Sequence, residues 1–162
     1  PFQDASIDLI VTRTASHHFV DLPGWLREVE RVLAPGGLLV NGDTCAPEDE
    51  SAAAWMHDIE LRRDGSHGRN LAPSQWKTAV EDAGLHVTDI AMSYVILQYP
   101  DWAERAGMTE GDSAEMRRDL LLAPDEAQQA FDFHENPDGT IDFHWDVVVL
   151  SAVKAGSTKP GV

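Results

Sequence analysis

The stretch Ile7-Asp8-Leu9-Ile10-Val11-Thr12-Arg13-Thr14-Ala15-Ser16-His17-His18 constrains this chain more than any other. It opens with apolar and β-branched residues and a single charge, Asp8. That is the pattern of a strand buried on both faces of a parallel sheet. It then breaks into a polar loop with two adjacent histidines. In open α/β sheets, ligands bind just beyond the carboxyl ends of the strands. A strand from about Ile7 to Thr14 that ends in this loop is therefore expected to point at a pocket.

The residues that follow predict a βαβ unit. Asp21 is a good N-cap, and Pro23 falls in the first helical turn, where proline is tolerated. Leu26, Val29, Val32 and Leu33 fall on one helix face. Ala34-Pro35-Gly36-Gly37 predicts a turn that stops the helix. Leu38 to Asp43 predicts a second short buried strand that ends in a carboxylate.

Helices are predicted over Ser51 to Arg63 and from Ala72 to Gly84, a C′ glycine, with a polar loop from Asp64 to Asn70 between them. His86 to Gln98 fits a strand. Tyr99 to Phe133 predicts two or three short helices, read as an insertion. Asn136-Pro137-Asp138-Gly139 is a turn signal, and Ile141 to Val153 is the last predicted strand. Residues 1–155 read as part of one domain, with 99–135 as a helical substrate cap and 156–162 as a flexible tail.

The whole chain has 162 residues, a length that suits one domain. Its formal charge is −16, from 28 acidic and 12 basic side chains. That balance argues against a nucleic-acid partner and against adsorption to anionic membranes. The single cysteine, Cys45, excludes an intrachain disulfide. There is no signal-peptide pattern and no apolar run that spans a bilayer, so the expected location is the cytoplasm. The chain begins Pro1-Phe2, as if in mid-domain, and reads as a fragment of a longer protein.

Several segments together resemble one family. Pro1-Phe2-Gln3-Asp4-Ala5-Ser6-Ile7-Asp8-Leu9-Ile10-Val11 is similar to the "LPFPDxSFDLV" segment of class I S-adenosylmethionine (SAM) methyltransferases. His17-His18-Phe19-Val20-Asp21 resembles their "LHHFxD". Arg27 to Gly37 resembles "REVxRVLKPGG", Asp43 with Ala46 to Asp49 resembles "VDxxAPED", and Arg62 to Arg69 resembles "LRDPSHVR". Each motif alone is weak; in order and at family spacing they are strong. The closest group is the ubiquinone/menaquinone C-methyltransferase-like, or methyltransferase type 11, subfamily.

The resemblance implies a Rossmann-like α/β fold, of which this chain supplies the C-terminal half. Its strands would be the fourth to seventh of a seven-stranded sheet, the last one antiparallel. The implied function is methyl transfer from SAM to a small-molecule acceptor. Phe2, Arg13, Thr14, Ala15, His17 and His18 would contact the cofactor, with Pro1 and Phe2 near its adenine. Asp43, His67 and Arg69 would serve catalysis, Asp43 as base or orienter and the other two, with Asp64, in a loop folded over the site. The family's Gly-rich turn and ribose-binding carboxylate are not in this sequence. Self-association, or pairing with a missing N-terminal segment, would then cover the bare strand.

Plainer readings stand beside these. Asp43 could be a turn or cap aspartate, and His17 and His18 could be helix-entry residues. His57 and Glu60 share a helix face, but nothing strengthens them into a metal site. The tryptophans suit a core, although Trp102 could line a substrate pocket. The alternative for the whole chain is a non-catalytic binding or regulatory module.

Overall fold

The computed structural model describes residues 2–156. Pro1 and the tail beyond Gly156 lie outside the described residues. The chain runs β1 (Ile7–Arg13), a 3-10 turn (Ser16–His18), α1 (Leu22–Val32), β2 (Leu33–Thr44), α2 (Glu50–Arg63), α3 (Pro73–Asp82) and β3 (Leu85–Tyr99). The stretch expected to form a cap, and called the cap below, follows as α4 (Asp101–Glu104), α5 (Glu110–Leu121) and α6 (Asp125–Phe131), then β4 (His134–Glu135) and β5 (Ile141–Lys154). The sheet order is β1-β2-β5-β3, with β4 pairing β5. β1 and β2 are parallel, and β5 is antiparallel to β2 and β3.

Local chemistry sets the boundaries. The Asp21 side chain accepts from Gly24 N at 2.8 Å and starts α1. Asp49 caps α2 by accepting from Ala52 N at 2.9 Å. Gly84, with φ +91, lets the chain leave α3 in a left-handed conformation open to glycine. The Pro35-Gly36 turn is present, but inside β2. The β1–β2 register jumps from Ile7↔Leu33 to Leu9↔Leu38, so the turn bulges out of a ladder that has already begun at Leu33. Gly36, at φ +82, takes the backbone conformation this needs.

Two hydrophobic cores follow. One face of the sheet packs Leu39, Val148, Leu150 and Ala152 against Leu26 and Val29 of α1 and Trp76 and Val80 of α3. The other core lies under the cap, where Met56 and Ile59 of α2 meet Trp102, Phe131, Phe143 and Trp145. The rings there meet edge to face, as for Phe131 and Trp145 at 4.5 Å between centroids. Aromatic edges carry the positive end of the quadrupole, which favours that arrangement.

β1 departs from the sequence reading. Leu9 and Val11 are 54% and 63% exposed, and only Ile10 packs against a core. The cause is coverage. Among the described residues β1 pairs with β2 alone, and α1 and α3 lie over one face. The strand thus presents unpaired N–H and C=O groups beside an apolar face, which invites pairing with another chain. Light scattering after size exclusion is expected to show the chain associating with rising concentration, and Val11→Lys to shift it toward monomer. A wild-type monomer at all concentrations would show that this edge needs no cover.

Candidate active site

Asp43 stands near the carboxyl end of β2, beside the end of β1, and is buried. Its Oδ2 accepts from Ser16 Oγ at 2.5 Å, His17 N at 3.0 Å and Ala15 N at 3.3 Å. Its Oδ1 accepts from Thr44 N at 2.9 Å and from the His17 ring at 2.7 Å. An ionised carboxylate only accepts, so His17 Nδ1 carries the proton of that bond. Burial alone would raise the Asp43 pKa. The bonds from His17 and Ser16 outweigh it, and the carboxyl sits below its ordinary value.

The loop so held passes the hold onward. The His17 carbonyl accepts from Gly68 N at 2.8 Å and Arg69 N at 2.9 Å. His18 Nδ1 lies 3.0 Å from Ser66 O, and Asp64 accepts from both Ser66 N and Ser66 Oγ. A Cβ on Gly68 would stand 2.7 Å from the His17 carbonyl oxygen, so only glycine permits this approach. Thr14 takes φ +49, costly for a β-branched residue, and donates its N–H to Gly42 O at 2.8 Å.

His67 lies inside this assembly, 6% exposed, with ring centroids 5.8 Å from His17 and 5.5 Å from His57. Its Nε2 has no hydrogen-bond partner. Burial, then repulsion from His17, His57 and His18, pushes its pKa down to about 4. His67 is therefore a neutral imidazole at neutral pH. Among the described residues, no group of three or more His, Cys, Asp or Glu side chains is arranged to hold a metal ion. Cys45 is buried, and its thiol is pushed up to about 12 by that burial, so it is not a nucleophile at neutral pH.

Two cavities flank the held loop. One, of about 470 Å³, is lined by Arg13, Thr14 and His17 on one side and by Glu60, Trp102 and Trp145 toward the cap. The other, of about 840 Å³, has Phe19, Leu22, Gly68, Arg69 and Leu71 in its wall. Asp43 lines neither; its oxygens are taken up by the loop. Ala15 and His18 also serve the loop itself. Phe2 does not join the set. It is exposed beyond the amino end of β1, its carbonyl held by Arg31 at 3.0 Å. A seven-residue strand, about 20 Å long, separates it from the cavity. Trp102 does line the smaller cavity.

Glu60 lines the smaller cavity, although the sequence reading considered it only as a metal ligand. It is buried, accepts from Trp145 Nε1 at 2.5 Å, and lies 3.4 Å from Arg63 Nη1. Burial pushes its pKa up, against the pull of Arg63, Trp145 and His17. The one sequence signal was its place beside apolar Ile59 and Leu61 on a helix.

The mixed α/β sheet, with β1 and β2 parallel and β5 antiparallel, matches the Rossmann-like sheet of methyltransferase structures. The comparisons agree. The methyltransferase domain model (Methyltransf_11) matches residues 1–41. The protein YafE of Escherichia coli strain K12 is 32% identical over 155 residues, spanning 96% of this chain and 73% of YafE. The Bacillus subtilis methyltransferase YcgJ is 32% identical over 155 residues, spanning 95% of this chain and 61% of that protein. The YcgJ crystal structure superposes with a TM-score of 0.90, covering 97% of this chain and 68% of that one. The zebrafish arginine-hydroxylase NDUFAF5 is 26% identical over 165 residues, and the chain spans 50% of its length. The chain belongs to the methyltransferase family.

Two outcomes follow from the loop. Gly68→Ala is expected to cost about 1–3 kcal/mol, a melting point lower by several degrees, because backbone must move to relieve the contact. His67 gives the sign of the pH dependence. It binds a proton near pH 6.5 when unfolded but only near 4 when folded, so the unfolded state holds more protons between those values. Stability is expected to fall as pH drops from about 6.5 toward 4, and less so in His67→Phe. Equal acid sensitivity in both proteins, by thermal melts, would contradict the assignment.

Proposed function

We propose that this chain supplies the acceptor side and one rim of the cofactor site of a SAM-dependent methyltransferase acting on a small molecule. The observation that carries this is the 470 Å³ cavity, in which the strand-end residues Arg13, Thr14 and His17 face the cap residues Trp102 and Trp145. Family membership supports the reaction class. The motif match supports the type 11, ubiquinone/menaquinone-like subfamily, and the shares of YafE and YcgJ covered support reading the chain as the C-terminal part of a longer enzyme. No described helix is long and apolar enough to cross a membrane. A cytoplasmic location remains part of the proposal.

The residues present fit one side of the cofactor. Arg13 and His17 offer donors over an apolar wall of Val11, Val147 and Val149. SAM, when bound, supplies an activated methyl group. The chain then has to position the acceptor, exclude water and accept a proton where the acceptor carries one. His17 orients the rim, fixed in one tautomer by Asp43. Arg69 stands in the wall of the larger cavity, on the loop that the resemblance folds over the site, and His67 of the same loop is a neutral ring beside His17 and His57. Asp43 acts through His17 and Ser16 as a positioning residue. Phe2 would reach the cofactor only through a contact outside this cavity.

Titration calorimetry with S-adenosylhomocysteine is the test of the cofactor. This chain alone is expected to bind it weakly, because the Gly-rich turn is not part of it; low-micromolar binding by a monomer would contradict that. In the full-length protein, Arg69→Ala is expected to lower methyl transfer at least about tenfold with a melting point within a few degrees of wild type. Unchanged kinetics would make the loop a solvated surface feature.

A further inference from the structure

We infer that Glu60 is the proton acceptor of the acceptor pocket, and that the acceptor is a ring-sized apolar molecule bearing an ionisable hydroxyl. The inference rests on the methyltransferase reading above and deepens it. The pocket wall is apolar and aromatic, with Leu97, Val147, Trp102 and Trp145 around it. Such a wall takes a flat apolar body and gives it few polar anchors. Among the described residues Glu60 is the only carboxylate lining this cavity, and it is buried.

Its partners leave it able to work. Trp145 Nε1 occupies one oxygen at 2.5 Å. The Arg63 contact to Oε2 is long, 3.4 Å, because that guanidinium is also drawn toward Trp102, donating Nε to its carbonyl at 3.1 Å and stacking 4.6 Å from its ring. Oε2 is thus the oxygen available to a ligand. Burial makes Glu60 a stronger base than a surface carboxylate. The charged or titratable groups facing it are Arg63 from its own helix and His17 from the loop after β1, while Trp145 of β5 is neutral. Arg13 and Arg105 also line the cavity.

The step is a simple proton transfer. The acceptor O–H bond breaks, the proton goes to Glu60 Oε2, and the electron pair stays on the acceptor oxygen as the nucleophile. The arginines of the cavity face the negative charge so formed. A tertiary amine, with no proton to lose, would have no use for Glu60. A phenol or an enol would.

Phenol is the probe, since it stays neutral across the range used. In the chain, the Trp145 indole N–H resonance is expected to titrate with Glu60, above the ordinary carboxylate range. Phenol is expected to shift the Trp102 and Trp145 indole resonances, and to bind more tightly once Glu60 is ionised. Glu60→Gln keeps an oxygen for Trp145 Nε1 and therefore the pocket. It is expected to lose that pH dependence and to bind phenol about fivefold more weakly at pH 7.5. Equal binding and equal pH profiles in the two proteins would reduce Glu60 to an anchor for Trp145. No shift of either indole with phenol would overturn the acceptor class. If Glu60→Gln melts below wild type, the wild-type pH profile decides alone. S-adenosylhomocysteine binding by the full-length protein is expected to be unchanged by Glu60→Gln; its absence in wild type would sink the methyltransferase reading instead.

Discussion

The buried Asp43 carboxylate is the constraint on which the rest of the site depends. Taking a carboxylate out of water costs several kcal/mol unless donors replace the lost solvent. Here the donors come from Ala15, Ser16, His17 and Thr44. Hydrogen bonds to a charged group contribute about 1.5–3 kcal/mol each, so together they offset the burial. The consequence is geometric. The loop after β1 has to close over the end of β2, and Thr14 is held in a conformation a β-branched residue avoids. His17 then receives Gly68 and Arg69 on its carbonyl, so a loop distant in sequence takes its place from the same carboxylate.

The two cores give this arrangement its two boundaries. The aliphatic core under α1 and α3 fixes β2 and β5, and with them the position of Asp43. The aromatic core under the cap fixes Trp102 and Trp145, and with them the far wall of the smaller cavity. The cavity lies on the sheet face that carries the aromatic core, over the carboxyl-terminal parts of β1 and β2, the end at which doubly wound sheets place their ligand sites. The open face of β1 is the complement of the same design, since helices cover the sheet there on one side only.

Much of the fold was legible because local signals agreed with it. Asp21 and Gly84 marked helix ends by chemistry that acts within a few residues, whereas the Asp49 cap of α2 emerged only in the structure. The βαβ unit, a helical stretch after β3 (read as two or three short helices) and the Asn136–Gly139 turn followed from period and turn residues. The β2 bulge was not legible, because Pro35-Gly36 signals a turn without saying that the ladder starts before it. The exposure of β1 was hidden for a different reason: an apolar strand has the same sequence whether or not its second face is covered. In the site, the His17–Asp43 neighbourhood was visible as strand-end residues, although Asp43's role as holder of the loop depends on donors that only the fold assembles. Glu60 was read only as a poor metal ligand, since its partner Trp145 lies 85 residues away. Phe2 carried a motif match, but β1 sets it at the opposite end from the cavity.

Amide hydrogen exchange in Asp43→Asn tests the central claim most directly. Asparagine keeps the size of the side chain but replaces one accepting oxygen with a donor. If Asp43 holds both loops, protection should fall at His17, Gly68 and Arg69 together, while the β2–β5 ladder from Leu38 to Gly42 keeps its own. Unchanged protection at Gly68 and Arg69 would mean that the covering loop holds itself, and that the site is not organised by this carboxylate.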